Sequence, residues 1–152
     1  MKVEVVCRQN QARSIISANV LRRLYPTLEV SSSGVEAVTG TPINRAIREI
    51  AEFWNLPLTE MISTNIMEVP NVSQSDHVIC ADPMVAQAVR DMYPKSNVAD
   101  IYNYAPNSTF LPIDPVNLSP SEIAIEVAKS ALLTSRVINE QFGQTPQFAA
   151  FV

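Results

Sequence analysis

Short apolar segments alternate with amphipathic helical segments along the whole chain. The segments 3–6, 28–33, 77–81 and 97–101 predict four strands, and the segments between them show helical spacing of apolar residues. Strands separated by helices lie parallel and are joined by right-handed crossovers. Nearly continuous apolar strands are typical of a sheet covered by helices on both faces. The pattern therefore predicts an α/β fold with a four-stranded parallel sheet.

Three of the helices have start signals that include a proline. Thr41-Pro42 and Asp82-Pro83 each predict an N-cap followed by a first-turn proline, and Ser119-Pro120-Ser121-Glu122 predicts a capping box. We expect the last helix to run to about Glu140 and to bury a stripe that includes Leu132. The length of 152 residues suits one domain over 1–152, with the tail 142–152 unassigned.

Two scarce residue types exclude several familiar kinds of site. The chain has one histidine, His77, and three glycines at 34, 40 and 143. A site with two histidine ligands and an HExxH helix are excluded, and so are the glycine-rich loops of P-loop and dinucleotide-binding proteins. We therefore expect no metal and no cofactor, and a phosphate site would need another kind of loop.

Charge and cysteine content bear on partners and compartment. A net charge of −4 and a pI near 4.9 give no basic field for nucleic acid or an anionic membrane. No apolar run approaches the ~20 residues of a membrane span, and the N-terminus is too short and charged for a signal peptide. Two cysteines 73 positions apart do not form a disulfide framework. We expect a cytoplasmic protein with free thiols.

The segment after the first strand carries the strongest chemical signal. Cys7 and Arg13 fit the pattern Cys-x5-Arg between a strand and a helix, where backbone N–H groups converge and favour both a thiolate and a phosphate dianion. An arginine can bind two phosphate oxygens, the Ser14 hydroxyl can donate to the thiolate, and Asn10 can adopt a left-handed backbone. The predicted phosphate-binding residues are Arg8, Gln9, Asn10, Gln11, Ala12, Arg13 and Ser14. The plainer alternative is a buried cysteine followed by a solvated arginine.

With these residues in view, the chain resembles the low-molecular-weight protein tyrosine phosphatases. Their loop commonly reads Cys-x-Gly-Asn-x-Cys-Arg-Ser, which matches here at Cys7, Asn10, Arg13 and Ser14. Ser32-Ser33-Gly34 resembles the family's Ser-Ala-Gly. The resemblance implies a three-layer αβα flavodoxin-like fold and hydrolysis of phosphomonoesters, phosphotyrosine or aryl phosphates, through a phosphocysteine.

Two Asp-Pro pairs compete for the role of general acid. Asp82 already has a structural reason to be present, since it is the predicted cap of the third helix. Asp114 has none, and it directly follows the apolar stretch 110–113, which would favour a protonated carboxyl. The resemblance also puts the acid at Asp114.

Three departures from the family pattern lie at the site. The loop glycine is Gln9, the second loop cysteine is Ala12, and the tyrosine that often follows Asp-Pro is Val116. The missing tyrosine removes an aromatic wall, which Tyr102 or Tyr104 could replace.

Two other functions stay open. Thiol-dependent arsenate reductases share the fold and loop, and Cys80 resembles the position of one of their further cysteines, although an inert core thiol is the simpler interpretation. The third possible function is that of a phosphatase-like domain that binds phosphorylated partners without turnover. The expected partners are a phosphorylated protein or small phosphate ester and a phosphate-type or sulfate-type anion in the loop; we expect a monomer or weak dimer.

Overall fold

The protein is built on one parallel sheet. The structure, a computed structural model, describes residues 1–144, 146 and 147; the rest of the unassigned tail lies outside the described residues. The strands are β1 (Lys2–Cys7), β2 (Glu29–Gly34), β3 (His77–Cys80) and β4 (Val98–Asp100). They are all parallel in the order β2-β1-β3-β4, so β1 is central and its carboxyl end lies between those of β2 and β3.

Helices follow each strand. They are α1 (Arg13–Leu24), α2 (Arg45–Phe53), α3 (Pro83–Met92) and α4 (Pro120–Phe142), and short 3-10 turns occur at 66–68, 72–74, 101–104 and 108–110. One face of the sheet packs on α1 and α4, and the other packs on α3. The predicted three-layer αβα fold with four parallel strands is confirmed.

The helix starts agree with the sequence signals in two cases out of three. Asp82 caps α3 by accepting the Val85 N–H at 2.8 Å, and Ser119 forms the predicted capping box of α4. The predicted start of α2 at Thr41-Pro42 is wrong. Asn44 is the cap and accepts the Ala46 N–H at 2.8 Å, because Pro42 is held in an isolated bridge to Ile62.

The buried stripe of α4 differs from the predicted one at Leu132. This side chain is 56% exposed, whereas Leu133 is buried between the helix and the sheet. The stripe that contacts the core contains Ile123, Val127, Ala131, Val137 and Ile138. Adjacent leucines give no periodic signal of which one faces inward, so the error is a shift of about 100° around the helix.

Candidate active site

Cys7 ends the central strand and its sulfur is surrounded by hydrogen-bond donors. The residue is 3% exposed. The Asn10 backbone N–H donates to Sγ at 3.3 Å, and the Ser14 hydroxyl lies 3.0 Å from it. No side chain caps the N-terminus of α1, which begins at Arg13 directly behind the loop. An uncapped helix terminus leaves N–H groups that can bind an anion.

Asn10 holds the loop in shape. Its φ of 53° lies in the left-handed region, as predicted, and its backbone and side chain are fully buried. The side-chain amide donates to Ser14 Oγ at 2.7 Å and to Ser32 Oγ at 3.1 Å, and its oxygen accepts the Thr64 N–H at 2.8 Å. Asparagine tolerates this backbone region better than most residues and ties the loop to two other segments at the same time.

Gly34, at the end of β2, is required by the close approach of the loop. A Cβ at this position would lie 2.7 Å from the Arg8 carbonyl oxygen and 2.8 Å from the Asn10 nitrogen. The loop continues the sheet contact there, because the Val35 N–H donates to the Cys7 carbonyl and the Glu36 N–H to that of Arg8. Gly34, one of only three glycines in the chain, therefore lies beside the loop and not in it.

Arg13 is the charged residue that the loop encloses most completely. Only 3% of the residue is exposed, so it is not the solvated helix residue of the plainer interpretation. Its Nη1 lies 2.8 Å from Asp82 Oδ2, and its Nη2 lies 3.3 Å from Asp114 Oδ2. Burial by itself lowers the pKa of a guanidinium, but the charges of Cys7, Asp82 and Asp114 outweigh it and raise the pKa of Arg13.

Asp114 lies opposite the loop, across a cleft. Its Oδ2 is 3.2 Å from Arg8 Nε as well as 3.3 Å from Arg13 Nη2, and the side chain is 35% exposed. The apolar setting expected from residues 110–113 is therefore not found, since the carboxylate contacts two guanidinium groups. The cleft between loop and carboxylate is lined by Cys7, Arg8, Gln9, Gln11, Ala12, Arg13, Asn44, Asp114, Pro115 and Val116.

None of these ten lining residues is aromatic, and the proposed substitutes for the missing tyrosine do not reach the cleft. The Tyr102 hydroxyl donates to the Pro112 carbonyl, and the Tyr104 hydroxyl accepts from Gln141 at 2.6 Å. Three amide-bearing residues, Gln9, Gln11 and Asn44, are instead among the residues that line the cleft. Gln9 is exposed.

Cys80, the second thiol, does not join the site. It is fully buried on β3 among Val6, Val78 and Val85, and its sulfur makes a long contact with the Val78 carbonyl. Burial raises the pKa of this thiol strongly. Cys7 and Cys80 are both free, so the structure favours the interpretation of Cys80 as a core thiol.

Several residues that hold the loop were missed by the sequence analysis. The Ser63 hydroxyl donates to the Asn10 carbonyl at 2.8 Å, the Thr64 N–H binds the Asn10 amide, and Glu60 accepts from Ser32. All three lie in the segment 54–76, which has no strong periodicity and no chemical motif. Only contacts between distant parts of the chain give them a role, so no local signal could have found them.

The part of the chain that the structure describes contains no group of three or more histidine, cysteine, aspartate or glutamate side chains suited to a metal ion. Within the same residues, no helix has both the length and the apolar character needed to cross a membrane.

Comparison with known proteins places the chain in a family. The model of the family "low molecular weight phosphotyrosine protein phosphatase" matches residues 2–131. The chain therefore belongs to this family of cysteine-dependent phosphatases, and the predicted enzyme class, a hydrolase, is confirmed. A search of the curated proteins finds no significant match.

Solved structures agree on the fold. The tyrosine phosphatase Wzb from Escherichia coli K30 in complex with sulphate superposes with a TM-score of 0.80 at 19% identity, over 92% of this chain and 97% of that one. A YwlE mutant from Bacillus subtilis gives 0.81 at 18% identity, over 95% and 99%. A cysteine-to-serine mutant of the YwlE arginine phosphatase with a phosphorylated active-site serine gives 0.80 at 17%, over 95% and 97%.

Proposed function

We propose that this phosphatase hydrolyses phosphomonoesters through a phosphocysteine on Cys7, with Arg13 binding the phosphate and Asp114 acting as general acid. The observation that carries the proposal is the arrangement around one sulfur. Two donors lie within 3.3 Å of the Cys7 sulfur, a buried arginine closes the loop, and a carboxylate faces it across the cleft. A thiolate nucleophile, an oxyanion cradle and a proton donor are what phosphoryl transfer to cysteine requires.

The two carboxylates that contact Arg13 have different parts in binding. Asp82 is fixed by its second role as the cap of α3 and holds Nη1 at 2.8 Å. Asp114 lies on a loop, is more exposed and holds Nη2 at 3.3 Å. A phosphate oxygen that enters the loop competes for Nη2, so we expect it to displace Asp114 and to leave Asp82 in place. The released carboxyl then faces the leaving group.

The chemical steps balance without a metal or cofactor. The Cys7 thiolate attacks phosphorus in line and forms an S–P bond, while the P–O bond to the leaving group breaks and Asp114 gives that oxygen its proton. Backbone N–H groups of residues 8–13 and the Arg13 guanidinium stabilise the equatorial oxygens. Water then attacks phosphorus, Asp114 takes its proton, and the S–P bond breaks to release phosphate and restore the thiolate.

The substrates that we propose are phosphotyrosine in a protein or a small aryl phosphate, and a phosphate-type or sulfate-type anion is the expected ligand of the loop. The YwlE neighbour described as an arginine phosphatase adds phosphoarginine as a second substrate class. None of the ten residues that line the cleft is aromatic, so no ring in the cleft stacks on a phenol. This favours testing phosphoarginine as well as phosphotyrosine. The cytoplasmic location is part of the same proposal.

The test measures hydrolysis of p-nitrophenyl phosphate, a phosphotyrosine peptide and a phosphoarginine peptide in the presence of a metal chelator. We expect turnover that disappears in Cys7→Ser. Turnover that survives this substitution would contradict the mechanism. Phosphopeptide binding without turnover would select the non-catalytic domain, and thiol-dependent consumption of arsenate without phosphatase activity would select the reductase.

A further inference from the structure

Two arginines share one oxygen of the proposed general acid. Asp114 Oδ2 lies 3.2 Å from Arg8 Nε and 3.3 Å from Arg13 Nη2. Among the described residues, no other side chain forms an ion pair or hydrogen bond with this carboxylate. Asp114 lies outside the regular elements, on the loop that leads to α4, so its side chain depends on these two arginines for its position.

The contact between Arg8 and Asp114 is close but not aligned. Arg8 Nε is shielded from water and has no hydrogen-bond partner in the described part of the chain. Its distance of 3.2 Å from Oδ2 is within the range of a hydrogen bond, so the direction of the N–H, and not the separation, prevents one. A buried donor without a partner is unfavourable, and a small turn of Asp114 towards Arg8 would pair it.

Arg13 opposes that turn in the resting site. Its Nη1 is fixed by Asp82 at 2.8 Å, and its Nη2 attracts Oδ2 in competition with Arg8. In the proposed reaction a phosphate oxygen takes Nη2, so Asp114 loses this partner. Arg8 is then the one cation in the described chain that still contacts the carboxyl.

Arg8 is well placed to hold the released carboxyl. It directly follows Cys7, and its carbonyl accepts the Glu36 N–H at 2.8 Å, which ties its backbone to the segment after β2. The second carboxylate near its side chain is that of Glu36, which is 65% exposed and lies 3.9 Å from Nη1. An exposed pair at this distance is weak, so Asp114 is the stronger partner of Arg8.

The oxygen that Arg8 holds determines which oxygen carries the proton. A protonated carboxyl donates through one oxygen and accepts through the other, whereas a guanidinium only donates. Oδ2 is therefore the accepting oxygen of Asp114, and Oδ1 carries the proton. Oδ1 has no partner among the described residues, so it can face the leaving group in the first step and water in the second.

We infer that Arg8 is a positioning residue for the general acid. Once phosphate has released Asp114 from Arg13, the Arg8 Nε–H holds Oδ2 and directs the proton on Oδ1 towards the leaving group. The inference rests on the proposed function, in which Asp114 is the acid.

The experiment compares kcat on two leaving groups. Phenolate needs a proton far more than p-nitrophenolate does, so a poorly positioned acid should be evident on phenyl phosphate. Arg8→Met keeps the length of the side chain and removes its N–H groups. We expect kcat to fall about tenfold on phenyl phosphate, the effect of losing one hydrogen bond to a charged group, and by less than about threefold on p-nitrophenyl phosphate. Arg45→Met, which removes the same charge from an exposed ion pair with Glu49, is the control and should change neither rate.

A double variant tests whether Arg8 acts through Asp114. Asp114→Asn has no proton to direct, so adding Arg8→Met should lower kcat on phenyl phosphate by less than about threefold more. Equal losses on both substrates in Arg8→Met, as direct binding of phosphate by its side chain would give, would overturn the inference, and so would a further tenfold loss in the double variant. Equal losses on both substrates in Asp114→Asn itself would contradict the proposed acid, and this inference with it.

Discussion

The two cysteines occupy similar positions and have opposite surroundings. Cys7 and Cys80 end neighbouring parallel strands, and both are almost completely buried. The Cys7 sulfur accepts the Asn10 N–H and lies 3.0 Å from the Ser14 hydroxyl, at the start of a helix that no side chain caps. Cys80 meets apolar side chains, its thiol contacts a carbonyl, and burial raises its pKa. Hydrogen-bond donors, and not exposure, distinguish the proposed nucleophile from the thiol in the core.

The largest expected effect is the difference between the two serine variants. Cys7→Ser should lower kcat by at least about 10⁴-fold, because the nucleophile is lost. Cys80→Ser changes no group that contacts the cleft, so kcat should stay within about twofold while some stability is lost from the core. Both are measured with p-nitrophenyl phosphate, and comparable losses in the two variants would remove the distinction between the thiols.

Removal of the proposed acid should have the next largest effect. Asp114→Asn is expected to lower kcat by about 10²- to 10³-fold on phenyl phosphate, and by less on p-nitrophenyl phosphate, whose leaving group needs a proton less. The ratio between the two substrates is the measurement. An equal loss on both would mean that Asp114 shapes the cleft without protonating the leaving group.

A change behind the loop should affect Cys7 without touching it. Gly34→Ala places a methyl group 2.7 Å from the Arg8 carbonyl, so the loop must move, and we expect kcat/KM to fall by about 10²-fold. Gly143→Ala strains a residue with a φ of 62° and has open space around it, so it should cost stability and leave kcat/KM unchanged. Wild-type kinetics in Gly34→Ala would show that the loop tolerates the displacement.

The smallest expected effect concerns a buried acid that lacks donors on one side. Glu4 is fully buried, Ser31 donates to its Oε1, and its Oε2 has no hydrogen-bond partner. Burial raises the pKa of Glu4, so this carboxyl stabilises the fold below its ordinary pKa of about 4.3, and that contribution is lost as the pH rises through the raised value.

Glu4→Gln cannot ionise, so its free energy of unfolding in urea should fall less than that of the wild type as the pH rises through this range. Parallel pH profiles for wild type and variant would contradict this assignment.

Much of the fold and of the candidate site was predictable from the sequence, and the errors have physical reasons. Local signals predicted the four strands, the Cys-x5-Arg loop, the left-handed Asn10 and the cap at Asp82. The start of α2 was wrong because Pro42 pairs with Ile62, a contact that no local pattern reveals. The prediction of an apolar environment for Asp114 was wrong because its partners, Arg8 and Arg13, come from the other end of the chain. Glu60 was missed for the same reason.

The most direct test of the central claim is to trap the intermediate. The protein is mixed with a ³²P-labelled aryl phosphate, quenched during turnover and digested, and the labelled peptide is sequenced. We predict label on Cys7 and none on Cys80 under this quench. Turnover with no covalent label, or label on Ser14 in the wild-type protein, would contradict the assignment of Cys7 as the nucleophile.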